Sequence, residues 1–311
     1  MRFPIESIRE TILHENRNVR DFAMEYFSKS RLRDPLAFDY VIRAFDRYEF
    51  ENAFNFHAFD RGLHLTKDSF AWLLEKLSER STKRNDRRET LVRELSSLLA
   101  WADIELLSAF EDSLRQARFL EEETRTIIAD RLELRNVSGE ECWNRLLVIA
   151  GSPKPGDRVP RLQMAMLEMA LAPFKEDFSD RVFEMLSRKL NADADSKDFW
   201  LERIAINLAG EFLLSESVPL LVDKIRVSPD AWFDEVTESL CRIGTDQVVE
   251  CVESAYEGSC TDFRFSAGMI LGRVKSPRAT ESCTNLFSLR NGSGKQSEPG
   301  LAARNNGKRR A

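Results

Sequence analysis

A repeat of 31 residues near the end of the chain restricts its fold more than any other feature of the sequence. The segments LERIAINLAGEFLLSES, WFDEVTESLCRIGTDQV and FRFSAGMILGRVKSPRA start at Leu201, Trp232 and Phe263, and they align at this spacing without a gap. A fixed period of this length is typical of stacked helical hairpins, because one hairpin cannot bury its apolar face alone.

Equivalent positions in the three copies are apolar or small. The columns are Leu201, Trp232 and Phe263; Ala205, Val236 and Ala267; Ala209, Leu240 and Leu271; Gly210, Cys241 and Gly272; and Phe212, Ile243 and Val274. Their spacing follows the 3.6-residue period of a helix, and the small residues suit a helix end at which the chain turns closely. A second helix is predicted to begin near Ser217, Gln247 or Ser276, with Pro277 at the first helical position of the last copy.

The order of an aromatic residue, Arg, two variable residues, Ala, a later LG pair and PxA in FRFSAGMILGRVKSPRA resembles a known repeat. It is similar to the short HEAT-like repeat of the armadillo-type superfamily, including the type named for phycobilisome bilin lyases. This resemblance implies an all-α fold, namely a right-handed α-solenoid of stacked helical hairpins.

The N-terminal segment NVRDFAMEYF resembles a further copy, with Arg20 in its VR pair. The resemblance therefore covers residues 195–289 and 4–30. It implies that Arg20 and Arg264 stabilise the packing between repeats.

Between these regions the chain still has helical patterns, but it loses the period. Helices are predicted at 87–100, 103–119 and 122–134. Thr66 is predicted to cap a helix, and Ser138 with Glu141 matches a capping box.

We divide the chain into N-terminal HEAT-like hairpins at 1–60, an irregular helical region of the same solenoid at 61–157, and C-terminal HEAT-like repeats at 158–290. A separate helical bundle is the alternative for the middle region, and GSPKPGDRVP at 151–160 is a candidate hinge. Residues 291–311 are rich in Gly, Asn, Arg and Ser, which predicts a disordered basic tail.

Charge and cysteine content indicate the compartment and the classes of partner. The chain has a net charge of −6, of which residues 291–311 contribute +4, so the other 290 residues carry −10. An acidic body disfavours nucleic acid as a partner. The charged N-terminus lacks a signal peptide pattern, and no segment is apolar enough to span a membrane. The five cysteines form no CxxC pair. We therefore expect a cytoplasmic protein without membrane attachment.

Motifs for catalysis or metal binding are incomplete. HEAT-repeat hydroxylases with two irons use several His-Glu pairs, whereas this chain has only His14-Glu15 among three histidines. GSGK at 292–295 lacks the flanking residues of a phosphate-binding loop, since Leu289 and Gln296 occupy those positions. We therefore predict no catalytic residue, no metal site and no cofactor.

Three surfaces are candidates for binding a partner. In HEAT-like stacks the first helix of each unit lines the concave side, so its outward positions 3 and 7 are the leading candidate. These positions are Arg203, Asn207, Asp234, Glu238, Phe265 and Met269. A basic patch with arginines near one helix face is the second candidate, with a solvated linker as the alternative; it comprises Arg80, Arg84, Arg87 and Arg88. The aromatic segment with Tyr48, Phe50, Phe54, Phe56 and Phe59 indicates either core packing or an exposed peptide groove.

The sequence favours a non-enzymatic HEAT-repeat interaction scaffold that binds a protein or peptide along its concave helical face. One alternative is an enzyme of lyase type, similar to a bilin lyase, that uses the groove of the solenoid. Nucleic-acid binding is a further alternative, disfavoured by the acidic body. The identity of the partner and the oligomeric state stay open.

Overall fold

The regular structure of the chain consists of helices. The computed structural model describes residues 4–29, 33–55, 63–79, 86–151, 161–188, 196–274 and 276–293, and these ranges contain no strand. The helices of the first half are α1 Ile5–Thr11, α2 Arg17–Lys29, α3 Ala37–Tyr48, α4 Phe50–Ala53, α5 Lys67–Ser78, α6 Asp86–Ala100, α7 Ile104–Ala109, α8 Glu111–Gln116 and α9 Glu122–Leu134. Those of the second half are α10 Gly139–Gly151, α11 Arg161–Leu171, α12 Lys175–Ser187, α13 Lys197–Glu211, α14 Val218–Val227, α15 Pro229–Ile243, α16 Asp246–Tyr256, α17 Thr261–Arg273 and α18 Pro277–Ser293. The all-α prediction is thus confirmed for the described part of the chain.

Each copy of the 31-residue repeat forms two helices, as predicted. The pairs are α13 with α14, α15 with α16, and α17 with α18. Helix α13 packs on α15 and α15 packs on α17, while α14 packs on α16 and α16 packs on α18. The odd-numbered helices thus contact one another in chain order, and so do the even-numbered helices.

Burial of the repeated apolar columns explains the period. Ala205, Val236 and Ala267 are all fully buried, and every member of the column formed by Phe212, Ile243 and Val274 is buried as well. Because each helix adds the same apolar stripe to its neighbour, the period in the sequence corresponds to a continuous core.

Capping side chains define where several of these helices begin. The Ser196 hydroxyl accepts a hydrogen bond from the Phe199 amide at 3.1 Å at the start of α13, and Ser276 accepts one from the Ala279 amide at 3.0 Å at the start of α18. The prediction for Ser276 and Pro277 is therefore confirmed. Thr66 and Ser69 form a reciprocal capping box at α5, which confirms the predicted cap at Thr66.

The prediction of one continuous helix at 103–119 was wrong. The chain forms α7 and α8 instead, and Phe110 between them leaves helical geometry with φ −112° and ψ 16°. The Phe110 ring lies 4.9 Å from the ring of Phe70, so the break places this aromatic side chain against α5.

Arg20 is buried and fixes the packing at the N-terminal end. Its Nε donates to the carbonyl oxygen of Ala53 at 2.6 Å, and its Nη2 donates to that of Asn52 at 2.9 Å. Its Nη1 donates to the carbonyl oxygens of His14 and Glu15 at 2.7 and 2.9 Å. One guanidinium thereby joins the turn between α1 and α2 to the end of α4.

Arg264 occupies the same motif position but lies in a different environment. Its side chain is exposed, and its guanidinium carbon lies 5.5 Å from the centre of the Tyr256 ring. It therefore contacts the preceding unit through a cation–π interaction, without the four carbonyl partners of Arg20.

Buried apolar residues form two clusters that meet near α9, α10 and α11. One includes residues from Ile12 to Leu132 together with Met166, and the other includes residues from Cys142 to Ala279. The five cysteines all lie in the described residues, and no disulfide joins any of them. None of the described helices is long and apolar enough to cross a membrane.

Helix α18 continues to Ser293, three residues into the segment predicted as a disordered tail. The rest of that segment lies outside the described residues, so its predicted disorder stays a prediction.

Candidate functional site

Charged and amide side chains form a continuous row across α11, α13 and α15. On α13, Arg203, Asn207 and Glu211 are one turn apart, so they share one side of the helix. Together with residues of the two flanking helices they form a set that we call the polar face. Its members are Glu168, Arg203, Asn207, Glu211, Glu235, Glu238 and Arg242.

Ion pairs connect α13 to α15 within the polar face. Arg203 Nη2 lies 2.7 Å from Glu235 Oε1, and Glu211 forms an ion pair with Arg242. Arg242 Nε also lies 3.4 Å from Glu238 Oε1 on its own helix. The side chains of Arg203 and Glu235 are only 17% and 16% exposed, so water screens this pair less than an ion pair on the open surface.

Glu168 connects α11 to α13 through an amide. Asn207 Nδ2 donates to Glu168 Oε1 at 3.1 Å and contacts Oε2 at 3.2 Å. The pKa of Glu168 is raised to about 8, mainly by burial and with a smaller contribution from the Glu211 carboxylate, while the Asn207 hydrogen bond, Arg242 and Arg203 oppose the shift. At neutral pH the Glu168 side chain is therefore mostly the uncharged acid.

Aromatic side chains continue the row at its α17 end. The Phe265 ring stacks on the Phe233 ring of α15 with centroids 5.8 Å apart, and Phe265 is still 64% exposed. Met269, one turn further along α17, is half-buried. An aromatic pair of the exposed Phe265 and the half-buried Phe233 thus lies beside the ordered polar network.

Five of the six predicted partner-binding residues fall into two environments, and the sixth, Met269, is half-buried on α17. Arg203, Asn207 and Glu238 belong to the polar face and contact other protein side chains there. Asp234 and Phe265 are exposed.

The second predicted surface cannot be placed. Arg80 and Arg84 lie outside the described residues, and Arg87 and Arg88 lie on α6 with side chains that are not described.

The aromatic segment is in part core. Phe54 is buried with its ring 5.4 Å from that of Phe45, and the Tyr48 hydroxyl donates to the carbonyl oxygen of Leu13 at 2.6 Å. The side chains of Phe50, Phe56 and Phe59 lie outside the described residues.

Sequence reasoning missed four members of the polar face, namely Glu168, Glu211, Glu235 and Arg242. Glu211 and Arg242 are 31 residues apart with opposite charges, so the repeat register itself could have paired them. Glu168 lies outside that register. The sequence feature that could have identified it is its position as the one acid in the apolar helix RLQMAMLEMAL. An acid among Met, Leu and Ala is a candidate for burial and a shifted pKa.

The described residues place no group of three or more His, Cys, Asp or Glu side chains where they could hold a metal ion. The polar face instead offers ion pairs, an amide-bound carboxylic acid and an adjacent aromatic pair, which are groups suited to contacts with a polypeptide. Comparison with protein-family models and with curated proteins finds no match to the chain.

Proposed function

We propose that this protein is a non-enzymatic, cytoplasmic scaffold that binds a protein or peptide along the outward side of α11, α13, α15 and α17. In this proposal the helical pairs form a right-handed HEAT-like, armadillo-type α-solenoid, and this side is its concave face. The repeat register and the contacts between successive odd-numbered helices support the arrangement.

The observation that carries the proposal is the exposure of Phe265 beside an ordered polar network. Phe265 leaves 64% of its surface in water although it stacks on Phe233. An exposed aromatic anchor next to charged groups is typical of the centre of a binding surface, where a partner excludes water from the ring. The partner is expected to place an apolar side chain against Phe265 and Phe233, and polar groups along the polar face.

The pairing within the polar face supplies rigidity. Arg203 and Arg242 are held by carboxylates of the same chain, so a partner would meet side chains that are already oriented. Reversing the charge of Arg203 would break the pair with Glu235 as well as any partner contact, so Phe265 is the better position for a test.

Site-specific photo-crosslinking in lysate of the source organism tests this proposal. A benzoylphenylalanine is placed at Phe265, and matched chains carry it at Phe22 on α2, 71% exposed, or at Phe183 on α12, 39% exposed. We expect a discrete protein adduct from position 265 at both low and high salt, and none from the two control positions. Equal adducts from all three positions, or none from 265, would contradict the proposal.

A further inference from the structure

A cavity of about 520 Å³ opens where α7 and α9 meet the end of α11 and the C-terminal end of α13. Much of its lining is apolar, and this part includes Leu134, Met166, Met169, Ala170, Pro173 and Phe174. Its volume lies in the range of sites for small ligands or single side chains.

Arg131 lines this cavity as a buried cation. It is 5% exposed, and its Nη1 donates to the carbonyl oxygens of Ala100 and Ala102 at 2.6 and 2.8 Å, at the end of α6. Burial lowers its pKa to about 10, while Asp103, Glu105 and Glu211 raise it, so the guanidinium is charged at neutral pH.

The donors of Arg131 are only partly used. Its two side-chain hydrogen bonds to described residues both come from Nη1, so the N–H groups of Nε and Nη2 have no acceptor among those residues. Among the described residues Arg131 forms no ion pair, although Asp103, Glu105 and Glu211 are near enough to act on it electrostatically. A buried cation without a close counter-charge is costly, so an anion in the cavity would be favoured.

The cavity lining carries three guanidinium groups and three carboxylates, so its formal charge is zero, and two of the carboxylates are engaged in ion pairs. Arg135 caps the C-terminal end of α9 one turn after Arg131, also lines the cavity and forms no ion pair with a described residue. Asp103 pairs with Arg33 at 3.3 Å, and Glu211 pairs with Arg242. Among the charged residues of the lining, this leaves Glu105 as the carboxylate without a described ion pair. Arg131 and Arg135 are the two guanidinium groups without one.

We propose that this cavity binds a single carboxylate attached to an apolar group, with Arg131 and Arg135 holding the carboxylate and Met166, Met169 and Phe174 contacting the apolar part. A guanidinium fork matches the two oxygens of a carboxylate. Two guanidinium groups without a described ion-pair partner and an apolar floor fit a monoanion better than a phosphate dianion, which the three carboxylates of the lining would repel. The carboxylate belongs either to a free organic acid or to the C-terminus of a peptide that ends in an apolar residue. This inference does not depend on the scaffold function.

Methionine methyl NMR on the full chain tests the inference directly. The chain has seven methionines, and labelled Met166 and Met169 methyl groups report from inside the cavity. The probes are octanoate, octanol and octylammonium, together with a short peptide ending in leucine and the same peptide with an amidated C-terminus. We expect saturable shifts of these two resonances with octanoate or the free-carboxylate peptide, and none with the alcohol, the amine or the amide.

Two variants of α9 complete the test. Arg135→Gln removes one guanidinium from an exposed position, so the fold should be retained and the affinity for the carboxylate should fall about tenfold. Arg125→Gln removes the same charge from an exposed position on the same helix that does not line the cavity, and it should bind like the unchanged chain.

Several results would overturn the inference. These are no shift with any probe, equal shifts with octylammonium, or equal affinities for Arg135→Gln and Arg125→Gln. If carboxylates bind, tighter binding of octanoate identifies a free acid as the source, and tighter binding of the peptide identifies a chain terminus.

Discussion

At the scale of single residues, Glu168 departs furthest from its behaviour in water. Folding surrounds its carboxyl group with α11 and α13 and leaves it 5% exposed. Burial raises its pKa from 4.5 to about 8, because the low-polarity surroundings disfavour the charged form. The native protein therefore binds a proton at Glu168 that the unfolded chain has already released at neutral pH.

Glu168→Gln should make the stability of the protein less dependent on pH. Between pH 5 and pH 8 the native state holds more protons at this site than the unfolded state, so stability falls as pH rises. The substitution removes this loss, and its free energy of unfolding relative to the unchanged chain should rise by at most about 1.4 kcal/mol per pH unit across this window. Urea unfolding at pH 5, 6, 7 and 8 measures the difference.

A matched substitution at Glu176 controls for the general effect of removing a carboxylate. The Glu176 side chain is 88% exposed at the start of α12, so Glu176→Gln should follow the unchanged chain across the series. A constant difference between Glu168→Gln and the unchanged chain from pH 5 to pH 8 would show that Glu168 is not protonated through burial.

At the scale of helices, the three repeats differ in how closely neighbouring elements approach. A Cβ atom at Gly210 would lie 2.8 Å from Ser239 Cα, so α13 and α15 meet backbone to backbone at this point. The Ser239 hydroxyl donates to the carbonyl oxygen of Ile206 at 2.8 Å and holds the two helices together. Gly272 occupies the same repeat position on α17, and a Cβ there would meet nothing within 4 Å.

The same substitution should therefore have opposite effects in two copies of the repeat. Gly210→Ala forces α13 and α15 apart and should lower the free energy of unfolding by about 1 to 3 kcal/mol. Gly272→Ala adds helix propensity in open space and should raise it by about 0.5 to 1 kcal/mol. Urea midpoints with unchanged slopes would establish both values. Changes of the same sign in the two variants would refute the difference in packing.

At the scale of the whole molecule, the two candidate sites are placed differently with respect to the two buried clusters. The cluster from Cys142 to Ala279 contains the packing of α10 to α17 and part of that of α18. Every residue of the polar face lies on α11, α13 or α15, within this half. The cavity instead depends on both halves, since Arg131 comes from α9 and Glu211 from α13.

A fragment of residues 136–293 should fold by itself into the helical pairs of the second half. The buried cluster of this half consists almost entirely of its own residues. The fragment would lose only the contacts that α9 makes with the side of α11 that carries Met166. We expect a helical circular dichroism spectrum and one cooperative urea transition, at a lower midpoint than that of the full chain. A broad, non-cooperative transition would show that the first half is needed to order the second.

Much of the secondary structure was predictable from the sequence. The apolar columns of the 31-residue repeat, which are buried in the structure, predicted the helical pairs. The caps at Thr66 and Ser276 predicted where two helices begin. These features are local, since helix periodicity and capping depend on residues within a few positions of one another. The split between α7 and α8 escaped prediction because it places Phe110 against Phe70, forty residues earlier in the chain.

The sequence by itself determined where apolar stripes and helix ends lie, because these follow from spacing along the chain. Only the tertiary structure decided which polar groups meet. Arg20 and Arg264 share one motif, yet only Arg20 meets four backbone carbonyls, two from the turn between α1 and α2 and two from the end of α4. Glu168 is an acid in an apolar helix until α13 covers it, and Arg131 lines a cavity only because α9 meets α11 and α13. Burial and the distance between charges set their energies, and both arise when distant segments pack together.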